Sequence, residues 1–179
     1  MSEDKQYKKD TADRIDAYNK YVEAKTATIE ESRSNELRIR ELTYQSLDEG
    51  IAEAFSFGKR LFERTQGDVD YLHIYLGKGQ VESVNQVKFT KQEFADAEDP
   101  LALIPEQLSN KYRFIEGAPI VSNFHDSCGI GIVGTASALQ QMLKNISLDV
   151  AIRHFYSELK MIYIISTITS SCTRRVRFL

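Results

Sequence analysis

The stretch from Ser127 to Ser166, SCGIGIVGTASALQQMLKNISLDVAIRHFYSELKMIYIIS, decides the fold predicted for this chain. The segment Ile130 to Val133 is short, apolar and β-branched, which is typical of a buried strand. Gly134 permits a sharp turn after that segment. Lys160 to Ile165, KMIYII, predicts a second buried strand. Between them, apolar residues recur at helical spacing and predict one face of a helix: Ala136, Leu139, Leu143, Ile146 and Val150.

Two buried strands that are joined by a helix predict a βαβ unit, with parallel strands and a right-handed crossover. The fold class is therefore α/β. Phosphate loops of nucleotide-binding proteins lie at the turn between such a strand and its helix. The candidate nucleotide-binding residues are those of this turn: Gly134, Thr135, Ala136 and Ser137.

The chemistry of this loop is degenerate. A working phosphate loop has the form GxxxxGK[ST], in which the lysine neutralises the phosphates and the hydroxyl binds magnesium. With Gly134 as the first glycine, the second glycine, the lysine and the hydroxyl residue are replaced by Leu139, Gln140 and Gln141. The sequence therefore predicts no catalytic residue and no cofactor. ATP with magnesium is expected only under the alternative of a non-standard loop.

Composition limits the class of protein. The 179 residues, 42% hydrophobic and 27% charged, suffice for one folded domain with an extension. The net charge of −3 gives no reason to expect nucleic acid or an anionic membrane as a partner. Two distant cysteines, Cys128 and Cys172, build no disulfide framework, which favours a reducing, cytosolic compartment. No run is apolar enough to span a bilayer, so membrane attachment is expected from sequence outside this chain or from a partner.

The N-terminal quarter predicts one long charged helix, or two, from Thr11 to about Gln45. Its thin apolar stripe consists of Ile15, Tyr18, Val22 and Ile29. Two interpretations remain open. The helix either packs along a domain face, or it forms a stalk or short coiled coil that connects a domain to another component.

The middle of the chain predicts alternating elements with a turn at Gly77 to Gly79. Helices are expected at Asp48–Thr65 and Leu101–Tyr112, and strands or extended segments at Asp70–Leu76, Val81–Phe89, Phe114–Ile115 and Pro119–Phe124. The predicted domains are a charged helical stalk over residues 1–47, a degenerate ATPase-like α/β domain over 48–166, and an atypical, disordered tail over 167–179.

Other polar residues predict structural roles. The acidic stretch Phe94 to Pro100 is expected to be a loop and not a metal site. His73, His125 and His154 lack the spacing of metal ligands, and His154 is suited to act as a favourable cation at a helix C-terminus. The trio of His125, Asp126 and Cys128 fails as a nucleophilic set, because adjacent residues in a strand point to opposite faces.

Several segments together resemble a known family. They follow the charged helix in this order: KRLFER (Lys59–Arg64), DVDYLHIYLGKGQV (Asp68–Val81), EDPLALIPEQLSNKYRFIEGAPIV (Glu98–Val121), GIGIVG (Gly129–Gly134) and DVAIRHFYSELKMIYII (Asp149–Ile165). This succession resembles the membrane-bound FtsK/SpoIIIE-type ATPase of type VII secretion systems, the EssC/YukB/EccC family, from about Ala17 to Ile165. The similar region is that family's cytosolic stalk and its first, membrane-proximal ATPase-like domain, which often has a degenerate nucleotide site.

The resemblance implies a segment of a multi-domain, membrane-anchored hexameric secretion motor at the cytoplasmic face of the bacterial membrane. The parent protein would be an ATPase, whereas this segment is expected not to be catalytic. The implied partners are other domains and subunits of the motor and membrane components of the secretion machine. Residues Thr167 to Leu179 differ from the family's continuation, so the sheet is expected to be incomplete.

The sequence thus predicts an incomplete three-layer α/β domain of the P-loop-NTPase-like type, preceded by an α-helical stalk. The leading functional hypothesis is a non-catalytic segment that couples a membrane anchor to a motor and docks neighbouring subunits during protein export. One alternative is a nucleotide-binding regulatory domain with a non-standard phosphate loop. Another is a stand-alone helical adaptor, which would bind a partner through the apolar stripe of the first helix.

Overall fold

The computed structural model describes residues 2–90, 101–127 and 129–164. Over these residues the fold is mixed α/β, with one long helix, three shorter helices and a two-stranded sheet. In chain order the elements are α1 (Ser2–Thr43), α2 (Leu47–Ser56), β1 (His73–Glu82), α3 (Ile104–Lys111), β2 (Phe114–Asn123) and α4 (Ala136–Arg153). The predicted α/β class is confirmed at this level, whereas the described residues do not form the predicted three-layer P-loop-NTPase-like domain.

The chain forms two compact units. Among the described residues, the first comprises 2–40, 80–90 and 101–118, and the second comprises 41–79, 119–127 and 129–164. The acidic stretch Phe94 to Pro100 and the tail over 167–179 lie outside the described residues, so the predictions for them stay predictions.

Helix α1 is a single helix of 42 residues, which confirms the predicted long charged helix. Its half-buried positions follow each other every three or four residues: Thr11, Ile15, Tyr18, Val22, Thr26 and Ile29. This spacing places them along one side of the helix. The predicted apolar stripe is therefore the side that α1 turns toward the rest of the first unit.

A buried arginine on α1 organises the first unit. Arg33 donates from Nε to the carbonyl oxygen of Tyr112 at 2.9 Å and from Nη2 to that of Asn85 at 2.7 Å. One turn later, the Glu36 carboxylate accepts hydrogen bonds from Ser83 Oγ at 2.6 Å and from the Val84 N–H at 3.0 Å. Burial opposes the charge of Glu36, but these bonds and Arg40 outweigh it and lower the pKa of Glu36.

The second unit is built around an apolar core and a buried polar cluster. Ile74 of β1 meets Ile146 and Val150 of α4, and half-buried residues pack around them: Leu76, Phe124, Ile132, Met142 and Leu159. Helix α2 also packs on α4. Its first turn carries a capping box, in which Ser46 and Glu49 exchange hydrogen bonds.

Helix α2 ends earlier than predicted, at Ser56 instead of near Thr65. Phe57 adopts the left-handed conformation with φ 51°, and its N–H bonds the Glu53 carbonyl oxygen, which closes the helix. Phe62 is also left-handed, with φ 57°. These backbone conformations interrupt a segment whose apolar spacing alone indicates a longer helix.

Strands β1 and β2 pair in antiparallel fashion. The Phe124 N–H donates to the Leu72 carbonyl oxygen at one end of the pair, and the Ser83 N–H donates to that of Arg113 at the other, both at 3.0 Å. The predicted turn at Gly77–Gly79 is wrong, because β1 continues through it. Gly77 has φ 145°, which glycine adopts readily, so this residue can remain inside the strand.

The other strand boundaries shift with this pairing. Only the start of the predicted strand Val81–Phe89 belongs to β1, and the two short segments expected between Phe114 and Phe124 form the single strand β2. A strand is defined by its partner, and a propensity pattern read alone does not locate the partner.

The predicted βαβ unit is wrong in the residues that the structure describes. Helix α4 is present and confirms the helical part, but neither Ile130–Val133 nor Lys160–Ile164 forms a strand. Val133 is 88% exposed, where a buried parallel strand would hide it. Both segments have the composition of strands, yet β1 and β2 pair with each other and neither pairs with them.

Candidate functional site: the two ends of helix α4

The N-terminal end of α4 carries the predicted nucleotide-binding residues Gly134, Thr135, Ala136 and Ser137, and all four are exposed. Thr135 is the N-cap residue, and its Oγ1 accepts the N–H of Ala138 at 3.3 Å. The threonine hydroxyl is therefore used by the helix itself.

The three residues that stand where a phosphate loop has its second glycine, lysine and hydroxyl residue lie in the first two turns of α4. Leu139 is half-buried, and Gln141 bonds Asn145 along the helix surface through Nε2 at 2.8 Å. In the stretch from Ala136 to Asn145, Lys144 is the basic residue, and it lies more than two turns from the cap. The uncapped part of the helix dipole can attract an anion only weakly without a nearby cation.

The C-terminal end of α4 has the opposite character, with four polar side chains that are almost fully buried: Arg64 at 1%, Asp149 at 1%, Arg153 at 2% and His154 at 2% exposure. We call this set the α4 cluster. Arg153 Nε donates to Asp149 Oδ1 at 2.6 Å, and the Tyr75 N–H donates to Asp149 Oδ2 at 3.0 Å. Arg153 Nη2 also donates to the carbonyl oxygens of Gln45 and, at 3.2 Å, Ser46.

Arg64 connects the cluster to the chain before β1. Its Nη1 donates to the carbonyl oxygen of His73, and its Nε lies 3.0 Å from Asp70 Oδ2. Its backbone N–H donates to the Arg153 carbonyl oxygen at 2.9 Å, and its own carbonyl oxygen accepts the Phe155 N–H at 3.0 Å. Arg64 therefore connects the end of α4, which its backbone bonds, to Asp70 and the start of β1, which its side chain contacts.

His154 is the C-cap residue of α4, and its ring is bonded as a neutral imidazole. Its Nε2 accepts the Leu72 N–H at 3.1 Å, and its Nδ1 lies 3.3 Å from the Val150 carbonyl oxygen, which requires the proton on Nδ1. Burial, followed by the nearby Arg64 charge, lowers the pKa of His154. The structural role predicted for His154 is therefore present, but the predicted cation is wrong, because burial and the nearby Arg64 guanidinium disfavour a proton on this imidazole.

The α4 cluster also occupies one edge of β1. Backbone groups alternate in direction along a strand, and Leu72 presents its carbonyl oxygen to β2. The carbonyl of His73 and the N–H of Tyr75 therefore face away from β2, where they bond Arg64 and Asp149. Side chains thus satisfy the backbone groups that a third strand would otherwise pair with.

The pKa of His154 makes stability depend on pH. Its folded-state pKa lies below the ordinary value of 6.5, so the unfolded chain binds a proton more readily. The contribution of His154 is therefore complete above pH 6.5 and is lost as pH falls through the folded-state pKa. We expect the free energy of unfolding to fall by up to about 1.4 kcal/mol per pH unit in this window.

Urea unfolding followed by circular dichroism, repeated between about pH 7.5 and pH 5, measures this dependence. His154→Gln should flatten the pH profile, because its amide oxygen can accept a hydrogen bond and does not titrate. His125→Gln is the matched control, since the side chain of His125 is exposed. Equal slopes for wild type and His154→Gln would contradict the assignment.

An apolar cavity of about 570 Å³ lies in the second unit, beside α4. Its walls include Tyr71, Ile74, Phe124, Ile146, Val150 and Met161. The charged residues of its lining are Glu158 and Lys160, and Glu158 already accepts the Gln66 N–H at 2.8 Å. The predicted loop residues Gly134 to Ser137 are not part of this lining. The cavity suits an apolar group and lacks the converging charges that a phosphate requires.

The remaining histidines have local partners. His73 Nδ1 lies 3.0 Å from the Tyr44 hydroxyl, and exposed His125 Nδ1 lies 3.4 Å from Asp126 Oδ1. Cys128 lies outside the described residues, so the interpretation of His125, Asp126 and Cys128 stays a prediction. Over the described ranges, no three acidic, histidine or cysteine side chains are grouped as a metal site requires. Nor do the described helices include one that is long and apolar enough to cross a membrane.

Comparison with known proteins gives the class. No family model matches the chain. Among curated proteins, it is 24% identical over 164 residues to the type VII secretion system protein EssC of Staphylococcus aureus strain MSSA476, and 23% identical to that of strain NCTC 8325. It is 22% identical over 163 residues to the ESX secretion system protein EccC of Geobacillus thermodenitrificans. These matches cover 92% and 90% of this chain and 11% of the relatives.

The chain is thus a relative of type VII secretion proteins. The relatives found are EssC and EccC proteins, which confirms the resemblance found in the sequence. The chain spans 11% of the length of the curated relatives it matches.

Three of the segments that carry the resemblance meet in the α4 cluster. Arg64 ends KRLFER, His73 and Tyr75 lie in DVDYLHIYLGKGQV, and Asp149 begins DVAIRHFYSELKMIYII. Sequence reasoning missed this cluster as a unit. One signal was available, since Asp149 and Arg153 are four residues apart and therefore neighbours on a helix.

Proposed function

We propose that this chain is a non-catalytic segment of a type VII secretion protein. It couples a membrane anchor to a motor and docks neighbouring subunits or other components of the secretion machine. The observation that carries the non-catalytic part is the N-terminus of α4, where Leu139, Gln140 and Gln141 replace the glycine, lysine and hydroxyl residue of a phosphate loop. Phosphoryl transfer depends on that lysine and on a bound magnesium ion.

The bonding of the buried charges supports the same proposal. Asp149, Arg153 and Arg64 are each bonded to backbone groups or to each other, as structural charges are. A catalytic group needs a free donor or acceptor that faces a substrate. The family relationship supports the secretion context, since the relatives are named as secretion proteins.

In this proposal residues 1–47 form the stalk and residues 48–166 the ATPase-like domain, at the cytoplasmic face of the bacterial membrane. A continuous helix such as α1, about 60 Å long for 42 residues, is suited to transmit a displacement along its axis. The assembly would be a homo-oligomer in the full-length protein, with neighbouring subunits and membrane components as partners.

Calorimetric titration of the folded chain with ATP, with and without magnesium, tests the non-catalytic part. We expect no saturable heat at millimolar nucleotide, because the α4 N-terminus has neither the lysine nor the magnesium ligand. A cooperative thermal melt of the same sample shows that the protein is folded. Magnesium-dependent binding that is lost in Thr135→Val would contradict this proposal and favour a regulatory nucleotide site with a non-standard loop.

A further inference from the structure

The first unit contains an elongated groove that none of the preceding roles uses. It is a cavity of about 570 Å³ between α1, the segment after β1 and the start of α3. We call it the α1 groove. Its apolar walls include Tyr18, Val22, Ile29, Val87, Phe89 and Leu108. Phe89 is 41% exposed and Tyr21, on the α1 side, is 57% exposed, so large apolar surface remains open to solvent.

The charged residues of the lining are all basic: Lys25, Arg33 and Lys88. The guanidinium of Arg33 donates hydrogen bonds to the carbonyl oxygens of Tyr112 and Asn85, whereas the side chains of Lys25 and Lys88 are exposed. Lys25 lies over the ring of Tyr21 at 5.5 Å, and within the described part of the chain neither lysine has a carboxylate partner. Among the described residues, the lining contains no aspartate or glutamate. In the part of the chain that the structure describes, the groove therefore combines apolar walls with two lysines that have no carboxylate partner.

We propose that the α1 groove binds an acidic amphipathic helix of a partner protein. Apolar side chains spaced three and four residues apart would enter the groove, and glutamates or aspartates beside them would pair with Lys25 and Lys88. The lining residues of α1 run from Tyr18 to Arg33, about 23 Å along the helix, which is the length of about four helical turns. This inference deepens the docking part of the proposed function, and it does not depend on whether the chain binds nucleotide.

The test uses a fluorescein-labelled helical peptide of about 16 residues, with leucines at three- and four-residue spacing and glutamates on the flanks. A matched peptide carries lysine in place of every glutamate. Fluorescence anisotropy should show saturable binding of the acidic peptide, weakened by added salt. Binding of the basic peptide should be at least about tenfold weaker.

Charge reversal gives the sharpest readout. Lys25→Glu/Lys88→Glu should weaken binding of the acidic peptide by at least about tenfold and should create binding of the basic one. Lys9→Glu/Lys59→Glu is the matched control: both lysines are exposed, lie outside the groove lining, and give the same change in net charge. Phe89 is a partly exposed residue of the groove wall. Phe89→Ser should weaken binding of the acidic peptide to the wild-type chain and of the basic peptide to the charge-reversed chain, without unfolding either.

Three results would overturn the proposal. One is the absence of saturable binding of the acidic peptide. Another is an equal effect of the control reversal, which would show attraction to overall charge only. The third is self-association, measured by sedimentation, that the Lys25/Lys88 reversal abolishes, because a second copy would then be the occupant. None of these results changes the ATP titration, so the two proposals fail separately.

Discussion

Asp149→Ala is expected to lower the free energy of unfolding by about 3–5 kcal/mol. The Asp149 carboxylate is 1% exposed, and it accepts hydrogen bonds from Arg153 Nε and from the Tyr75 N–H. Its removal leaves a buried guanidinium without its counterion and a backbone N–H without an acceptor. Urea unfolding followed by far-UV circular dichroism measures the loss.

Asp16→Ala is the control for this prediction. Asp16 pairs with Lys20 at the same spacing of four residues on a helix, but its side chain is 67% exposed. Exposed pairs contribute little, so the loss should stay below about 1 kcal/mol. Asp149→Asn should cost less than Asp149→Ala, because an amide oxygen can still accept the Tyr75 N–H.

A double-mutant cycle separates the charge from the packing. Asp149→Ala/Arg153→Met should destabilise the chain by less than the sum of the two single changes, since it removes the uncompensated charge along with its partner. Additive losses, or an Asp149→Ala loss as small as that of Asp16→Ala, would contradict the structural role given to the α4 cluster.

Arg33→Met is expected to lower the free energy of unfolding by about 2–4 kcal/mol. The Arg33 guanidinium bonds two carbonyl oxygens on two separate segments, Asn85 after β1 and Tyr112 after α3. Methionine preserves most of the apolar stem of the side chain, so the loss reports on these polar bonds. Hydrogen exchange should rise first around residues 83–87 and 110–114.

Arg38→Met is the matched control, because Arg38 lies on the same helix and is exposed. Its effect should stay within about 0.5 kcal/mol. Arg33→Lys should recover only part of the lost stability, since an ammonium group lacks the planar fork that reaches both carbonyl groups. Full recovery by lysine would show that the charge matters and the fork does not.

The helices were the most predictable part of the fold. The apolar spacing of α1 and α4 indicates a helix regardless of what packs on it, and the structure has both helices. The sheet was less predictable, because the segments Ile130–Val133 and Lys160–Ile164 have strand composition but no strand partner in the described residues. Strand propensity describes suitability for a pleated surface, whereas pairing depends on residues far away in sequence.

The two ends of α4 differ in the same respect: one depends on neighbouring residues and the other on residues far apart in sequence. The degenerate phosphate loop at Gly134 to Ser137 was predicted from consecutive positions alone, and it stays a prediction. The α4 cluster could not be predicted in this way, because it combines Arg64 with residues more than eighty positions later. His154 illustrates the cause: its position at a helix end suggested a cation, whereas its burial and the charge of Arg64 make it neutral.

The bonding of β1 has a consequence for how this protein behaves in a crowded cell. Unpaired strand edges recruit strands from other chains, and such recruitment begins many ordered aggregates. The outward-facing carbonyl of His73 is already bonded to Arg64, in the chain before β1, and the N–H of Tyr75 is bonded to Asp149, in α4. An incoming strand would have to displace two buried charges from their partners to dock there. The ionic cluster that stabilises the second unit therefore also protects this edge against uncontrolled polymerisation.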